Sequence, residues 1–62
     1  MEWIKNCNII IHPKLVHKNK YKVKLEGGHE MRAMFWVYAG GDEVAFVHPI
    51  TMIELSVTHF FA

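Results

Sequence analysis

Residues 31–39, Met31-Arg32-Ala33-Met34-Phe35-Trp36-Val37-Tyr38-Ala39, carry large apolar side chains with almost no polar interruption. The run has strand length and reads as a strand that is apolar on both faces. Successive strand side chains point to opposite sides. Met31, Ala33, Phe35 and Val37 therefore face one way, and Met34, Trp36 and Tyr38 the other. A small sheet covers one such face with its own core. The second face needs another layer, a partner, or tolerance of an aromatic row in water. A chain of this kind is a small β-rich domain with more apolar surface than it easily hides, which favours binding over catalysis.

The rest of the sequence fits strands around this one. His12-Pro13, Gly27-Gly28, Gly40-Gly41-Asp42 and His48-Pro49 are turn or strand-break signals. Residues 20–26 alternate, with Tyr21, Val23 and Leu25 on one face and Lys20, Lys22, Lys24 and Glu26 on the other, as in a half-buried strand. Residues 44–47 form the next strand. Residues 51–57 alternate again, with Thr51, Ile53, Leu55 and Val57 on one face and Met52, Glu54 and Ser56 opposite. The tail of residues 58–62 ends in Phe60-Phe61-Ala62. Near the N-terminus, Asn6-Cys7-Asn8 is poor in helix formers and Ile9-Ile10-Ile11 is β-branched, so a strand is favoured over a short helix. Residues 12–19 read as a basic loop. Four to five short strands joined by tight turns predict a mainly β fold, an antiparallel meander that curls into a small barrel.

The run from Phe46 to Val57, with Phe46-Val47-His48-Pro49 followed by Met52-Ile53, resembles the closing strands of a family of small bacterial SH3-like barrel proteins of unknown function. Tyr21-Lys22-Val23 and Val37-Tyr38 are similar to two further elements of that family. His48 stands where the family has Arg, Ile53 where it has Phe, and Glu54 comes one place early. The resemblance covers about half the chain. It implies an SH3-like barrel and no activity.

At 62 residues the chain is one domain, 1–62, whose small core leaves stability marginal without reinforcement. Cys7 is the only cysteine, so no disulfide framework supplies that reinforcement. A lone cysteine, no targeting segment and no long apolar run lead us to expect a soluble cytoplasmic protein that does not enter membranes. Net charge is +1, but it is unevenly placed. Residues 1–25 hold six Lys against Glu2, a balance of +5, whereas residues 26–62 hold Arg32 against five acids, a balance of −4. Either the basic half meets an anionic partner, or the two halves pair and neutralise each other inside the fold.

Few residues suit catalysis. Cys7 and Ser56 sit in no nucleophile elbow, Asp42-Glu43 reads as a solvated turn, and the Gly pairs lack the spacing of a phosphate cradle. We expect no enzyme and no cofactor. The five histidines include His12 and His17, which with Cys7 form the nearest thing to a metal set, but structural zinc wants four close ligands, and no metal is expected.

Two binding surfaces remain. The first joins Met34, Trp36, Tyr38, Phe60 and Phe61 into an apolar contact face, because Trp, Tyr and Met are enriched at interface centres. Its reading, the leading one, is a non-catalytic protein-interaction domain that forms a homodimer and suits a phage- or mobile-element-encoded inhibitor occluding a host or defence protein. The second uses Lys14, Lys18, Lys20, Lys22 and Lys24 against nucleic-acid phosphates, with Trp36 and Tyr38 as stacking platforms if they share that side.

Overall fold

The computed structural model describes residues 2–6 and 12–62. Among them lie five strands and no helix: β1 (Trp3–Lys5), β2 (Lys20–Leu25), β3 (Glu30–Val37), β4 (Val44–Val47) and β5 (Val57–Phe61). All pair antiparallel in one sheet of order β1-β5-β2-β3-β4. No helix of the described residues is long and apolar enough to cross a membrane. The N-terminal segment is a strand where it is described, at residues 3–5. Residues 7–11, with Cys7, lie outside the described residues.

The β2–β3 hairpin follows from its sequence. Alternation puts Tyr21, Val23 and Leu25 on the inner face, and Gly27 and Gly28 turn the chain at φ of 89° and 91°. That left-handed region is open to Gly and costly for residues with a Cβ. Segment 17–19 extends β2 alongside β3. The Lys18 amide donates to the Phe35 carbonyl at 2.8 Å, and the Phe35 amide to the Asn19 carbonyl at 2.9 Å.

The sheet also curls back on itself. Beyond β4, the His48 amide donates to the Ile53 carbonyl at 2.9 Å and the Leu55 amide to the Phe46 carbonyl at 2.8 Å, so residues 53–55 run beside β4. The same stretch continues as β5, which pairs with β2. A register shift at Lys24/Leu25 leaves Thr58 as an extra residue on β5, and its hydroxyl donates to the Lys24 carbonyl at 3.1 Å. Such a bulge bends a strand. Here it carries one segment from the edge of β4 to the side of β2, giving the curled, barrel-like form.

The tail and the last alternation correct the sequence reading. Residues 58–61 are a central strand, not a loose end. Residues 49–52 are a tight turn, not the start of a strand. Pro49 has a φ suited to opening a helical turn and no amide to lose. The His48 ring Nδ1 accepts from the Ile50 and Thr51 amides at 3.1 and 3.3 Å, and the Met52 amide donates to the His48 carbonyl at 2.9 Å. Met52 then takes a φ of 62°, which breaks any extended run through it.

The core is Val23, Ala33, Phe35, Phe46 and Phe60. Strand pairing places Ile4, Phe60, Val23 and Met31 in one row across four strands. The Phe46 ring lies 5.5 Å from Phe35 and 5.8 Å from Phe60, in the tilted geometry that aromatic pairs favour. The basic loop is tied down at one margin of this core. The Tyr21 hydroxyl accepts from the Val16 amide at 2.7 Å and donates to the Lys14 carbonyl at 3.1 Å, while Leu15 packs inward.

Candidate binding face

Directly opposed residues of an antiparallel pair share a face. On the outer face this brings together residues that are remote in sequence. Trp3, Phe61, Lys22 and Arg32 form one row across β1, β5, β2 and β3. Lys5, His59, Lys24 and Glu30 form the next row, and Lys20 lies opposite Met34. Trp36, two residues beyond Met34, points the same way. One continuous sheet face therefore carries Lys5, Lys20, Lys22, Lys24 and Arg32 among Trp3, Phe61 and Trp36.

The aromatic groups are fixed. Trp3 packs against Phe61 with ring centroids 5.3 Å apart, and the Lys24 and Lys22 ammonium groups lie 4.6 and 6.0 Å from the Trp3 ring centre. A cation over an indole face at this range is attracted by the ring quadrupole. Trp36 packs against the His17 ring at 4.6 Å, and His17 is held in turn because its Nδ1 accepts from the Val37 amide at 2.9 Å.

The two surfaces expected from sequence are thus partly one surface. Met34, Trp36 and Phe61 share the outer face with Lys20, Lys22 and Lys24. Phe60 does not belong to it: at 1% exposure it is a core side chain, and no partner reaches it without unfolding β5. Tyr38 follows the end of β3 and lines a separate cleft. Met34, Trp36 and Phe61 are half-buried, and the exposed large apolar residues are instead Val16 in the basic loop and Ile50, Met52 and Ile53 at the turn that His48 braces, with Ile50 the most exposed at 84%. Lys18 sits where segment 17–19 adjoins Trp36. Lys14 is exposed in the loop, where its carbonyl accepts from the Tyr21 hydroxyl, and it is not part of the lysine row of β2.

His12 and His17 are separated as well. The His12 ring packs edge-on against core Phe60 at 5.4 Å, while His17 lies against outer-face Trp36. Among the described residues no three His, Cys, Asp or Glu side chains gather as metal ligands. Sequence reasoning missed Trp3, Lys5 and Arg32 as members of the face, because only the pairing of β1 with β5 and of β2 with β3 brings them there.

The charge asymmetry of the chain survives folding. The one ion pair among the described residues joins Lys22 Nζ to Glu30 Oε1 at 3.3 Å, with both groups largely in water. Four other acids, Glu26, Asp42, Glu43 and Glu54, line a half-open cleft of about 390 Å³ together with Tyr38 and Ser56. No Lys or Arg lines it, so it repels phosphate. A pocket is the ordinary first place to seek a ligand site, but here the cations and aromatic platforms lie on the outer face of the sheet.

In the cleft the Tyr38 phenol is held above its ordinary 10.0, first by lost solvent, then by its hydrogen bond to Glu54 and by the charges of Glu54 and Glu43. Folding therefore disfavours the phenolate. The stabilising contribution is whole below about pH 10 and is lost as pH rises through the higher folded value. Tyr38→Phe is expected to flatten the alkaline fall in melting temperature. An identical fall in both proteins would show that Tyr38 ionises freely.

No protein-family model, no curated protein and no solved structure matches the chain.

Proposed function

We propose that this protein is a non-catalytic module that binds nucleic acid on the outer face of its sheet. One observation carries the reading: strand pairing interleaves five cations with three aromatic rings on one surface. Phosphate neutralisation by Lys and Arg supplies sequence-independent affinity, and aromatic rings beside the cations add stacking that every base accepts. A near-neutral net charge does not count against this, because most of the acids stand in a cleft that holds none of the cations. We also place the fold beside the SH3-like small barrels, supported by the bent segment 53–61 and by the motif residues of its sequence; this adds a scaffold and no activity.

The reading displaces an apolar protein-docking stripe as first choice, because Phe60 is interior and Tyr38 lines a separate cleft. Amide NMR mapping with a short oligonucleotide in low salt tests it. Shifts should concentrate on Lys20–Leu25, Glu30–Val37 and Val57–Phe61. Shifts confined to residues 38–45 and 50–56, or none at all, would remove the proposal.

A further inference from the structure

Resting on the nucleic-acid reading, we infer that the ligand is a single strand. It crosses the sheet diagonally from a stacking station at Trp3 and Phe61 to a second at Trp36 and His17. The first station lies on the row that also holds Lys22 and Arg32. From β1 to β3 is three strand spacings, about 14 Å at ~4.8 Å each. From Arg32 to Trp36 is four residues along β3, about 13 Å at ~3.3 Å each. The stations are therefore about 20 Å apart on the diagonal. A strand with the helical rise of 3.4 Å per nucleotide covers that distance in about six steps, or about seven nucleotides, and a more extended one in fewer. Lys20 lies on this line and Lys22 beside it, where phosphates pass, while Arg32 stands to one side at the end of the first row.

The face is too broad to enter a duplex groove, which leaves a duplex with phosphate contacts alone. Five strands present a face about 19 Å wide, and the molecule measures 31 × 25 × 17 Å, whereas the major groove is about 12 Å across. Bases within a duplex are stacked on one another and offer no free ring face to Trp3 or Trp36. In the free protein the Lys24 ammonium, 4.6 Å from the Trp3 ring centre, takes the place that a base would use. When a base stacks there, the ammonium is released to a phosphate.

The chain has two tryptophans, one at each station, so each station can be read by its own fluorescence. The probes are oligothymidylates from two to twelve nucleotides, the matching oligouridylates and a duplex of equal length, all at low salt. Trp3→Phe and Trp36→Phe each leave one emitter. The expected result is affinity that climbs with length up to about seven nucleotides and then levels off, with the matched ladders showing which sugar is preferred. Saturation with an octamer quenches both single-tryptophan proteins, a trimer quenches strongly only one, and the duplex binds at least tenfold more weakly. Trp3→Leu and Trp36→Leu should each weaken octamer binding about tenfold, the lower part of what one stacked base contributes.

Three results would overturn the diagonal path yet leave a nucleic-acid face standing: equal affinity for trimer and octamer, binding without quenching of Trp3, or a duplex bound as tightly as a single strand. Absence of binding by every oligonucleotide at low salt would end both proposals together.

Discussion

Phe60→Ala is expected to remove about a third or more of the protein's stability. Phe60 sits in the row Ile4, Phe60, Val23 and Met31, touches the Phe46 ring at 5.8 Å and is covered by His12 at 5.4 Å. Removing a buried Phe costs about 3–5 kcal/mol through lost transfer energy and the cavity left behind. A chain of 62 residues has a total stability on the order of 3–9 kcal/mol at ordinary values per residue. The loss thus runs from about a third of the fold's stability to all of it. Phe61→Ala, one position on, removes a half-buried ring from the outer face and leaves the core row intact, so a cooperative transition should survive with a modest loss. Urea unfolding followed by circular dichroism distinguishes the two. A Phe60→Ala protein with near wild-type stability would show that β5 is not central to the sheet.

This pair of neighbours also shows where the sequence was readable and where it was not. The β2–β3 hairpin was open to inspection, because Lys20 to Leu25 alternate cleanly and Gly27-Gly28 can turn. The final strand was hidden. Phe60 and Phe61 are both large and apolar, so residues 58–61 show no alternation, yet each ring is buried on a different side, Phe60 in the core and Phe61 against Trp3. The apparent alternation one step earlier, at residues 51–57, was misleading. Leu55 and Val57 do turn inward, but the His48–Met52 turn throws Ile53 into water. Backbone capping by a histidine ring and a positive φ at a methionine leave no trace in hydrophobic periodicity.

The binding face was half legible for a similar reason. The lysines of β2 share a face by local geometry alone, so their row can be read from residues 20–24. Their aromatic complement cannot. Trp3 and Phe61 come from opposite ends of the chain and meet only because β5 lies between β1 and β2. Arg32 joins them through cross-strand register, which one-dimensional spacing does not encode. How far the basic and acidic halves neutralise each other was hidden in the same way. β2 and β3 do pair, but the partners opposite Lys22 and Lys20 are Arg32 and Met34, and only Glu30 brings a compensating charge.

Lys20, Lys22 and Lys24 supply three of the five cations on the face. Replacing all three by Glu is expected to abolish oligonucleotide binding, a loss of at least about 100-fold. The effect is large because each change both removes an attraction and places a repulsion beside the phosphate path. Glu at position 22 or 24 would also crowd Glu30, so the neutral triple Gln variant carries the quantitative test, and its fold is checked by its own thermal transition. For a single strand the slope of log affinity against log salt is about −0.7 per phosphate neutralised, so five contacts give about −3.5 and two give about −1.4.

The decisive measurement is therefore the affinity of an octathymidylate for the wild type and for the folded triple Gln variant, followed across a salt series. A steep wild-type slope that falls by about two units in the variant is the expected result. A wild-type affinity indifferent to salt, or a slope the variant leaves unchanged, would contradict binding on the outer face of this sheet.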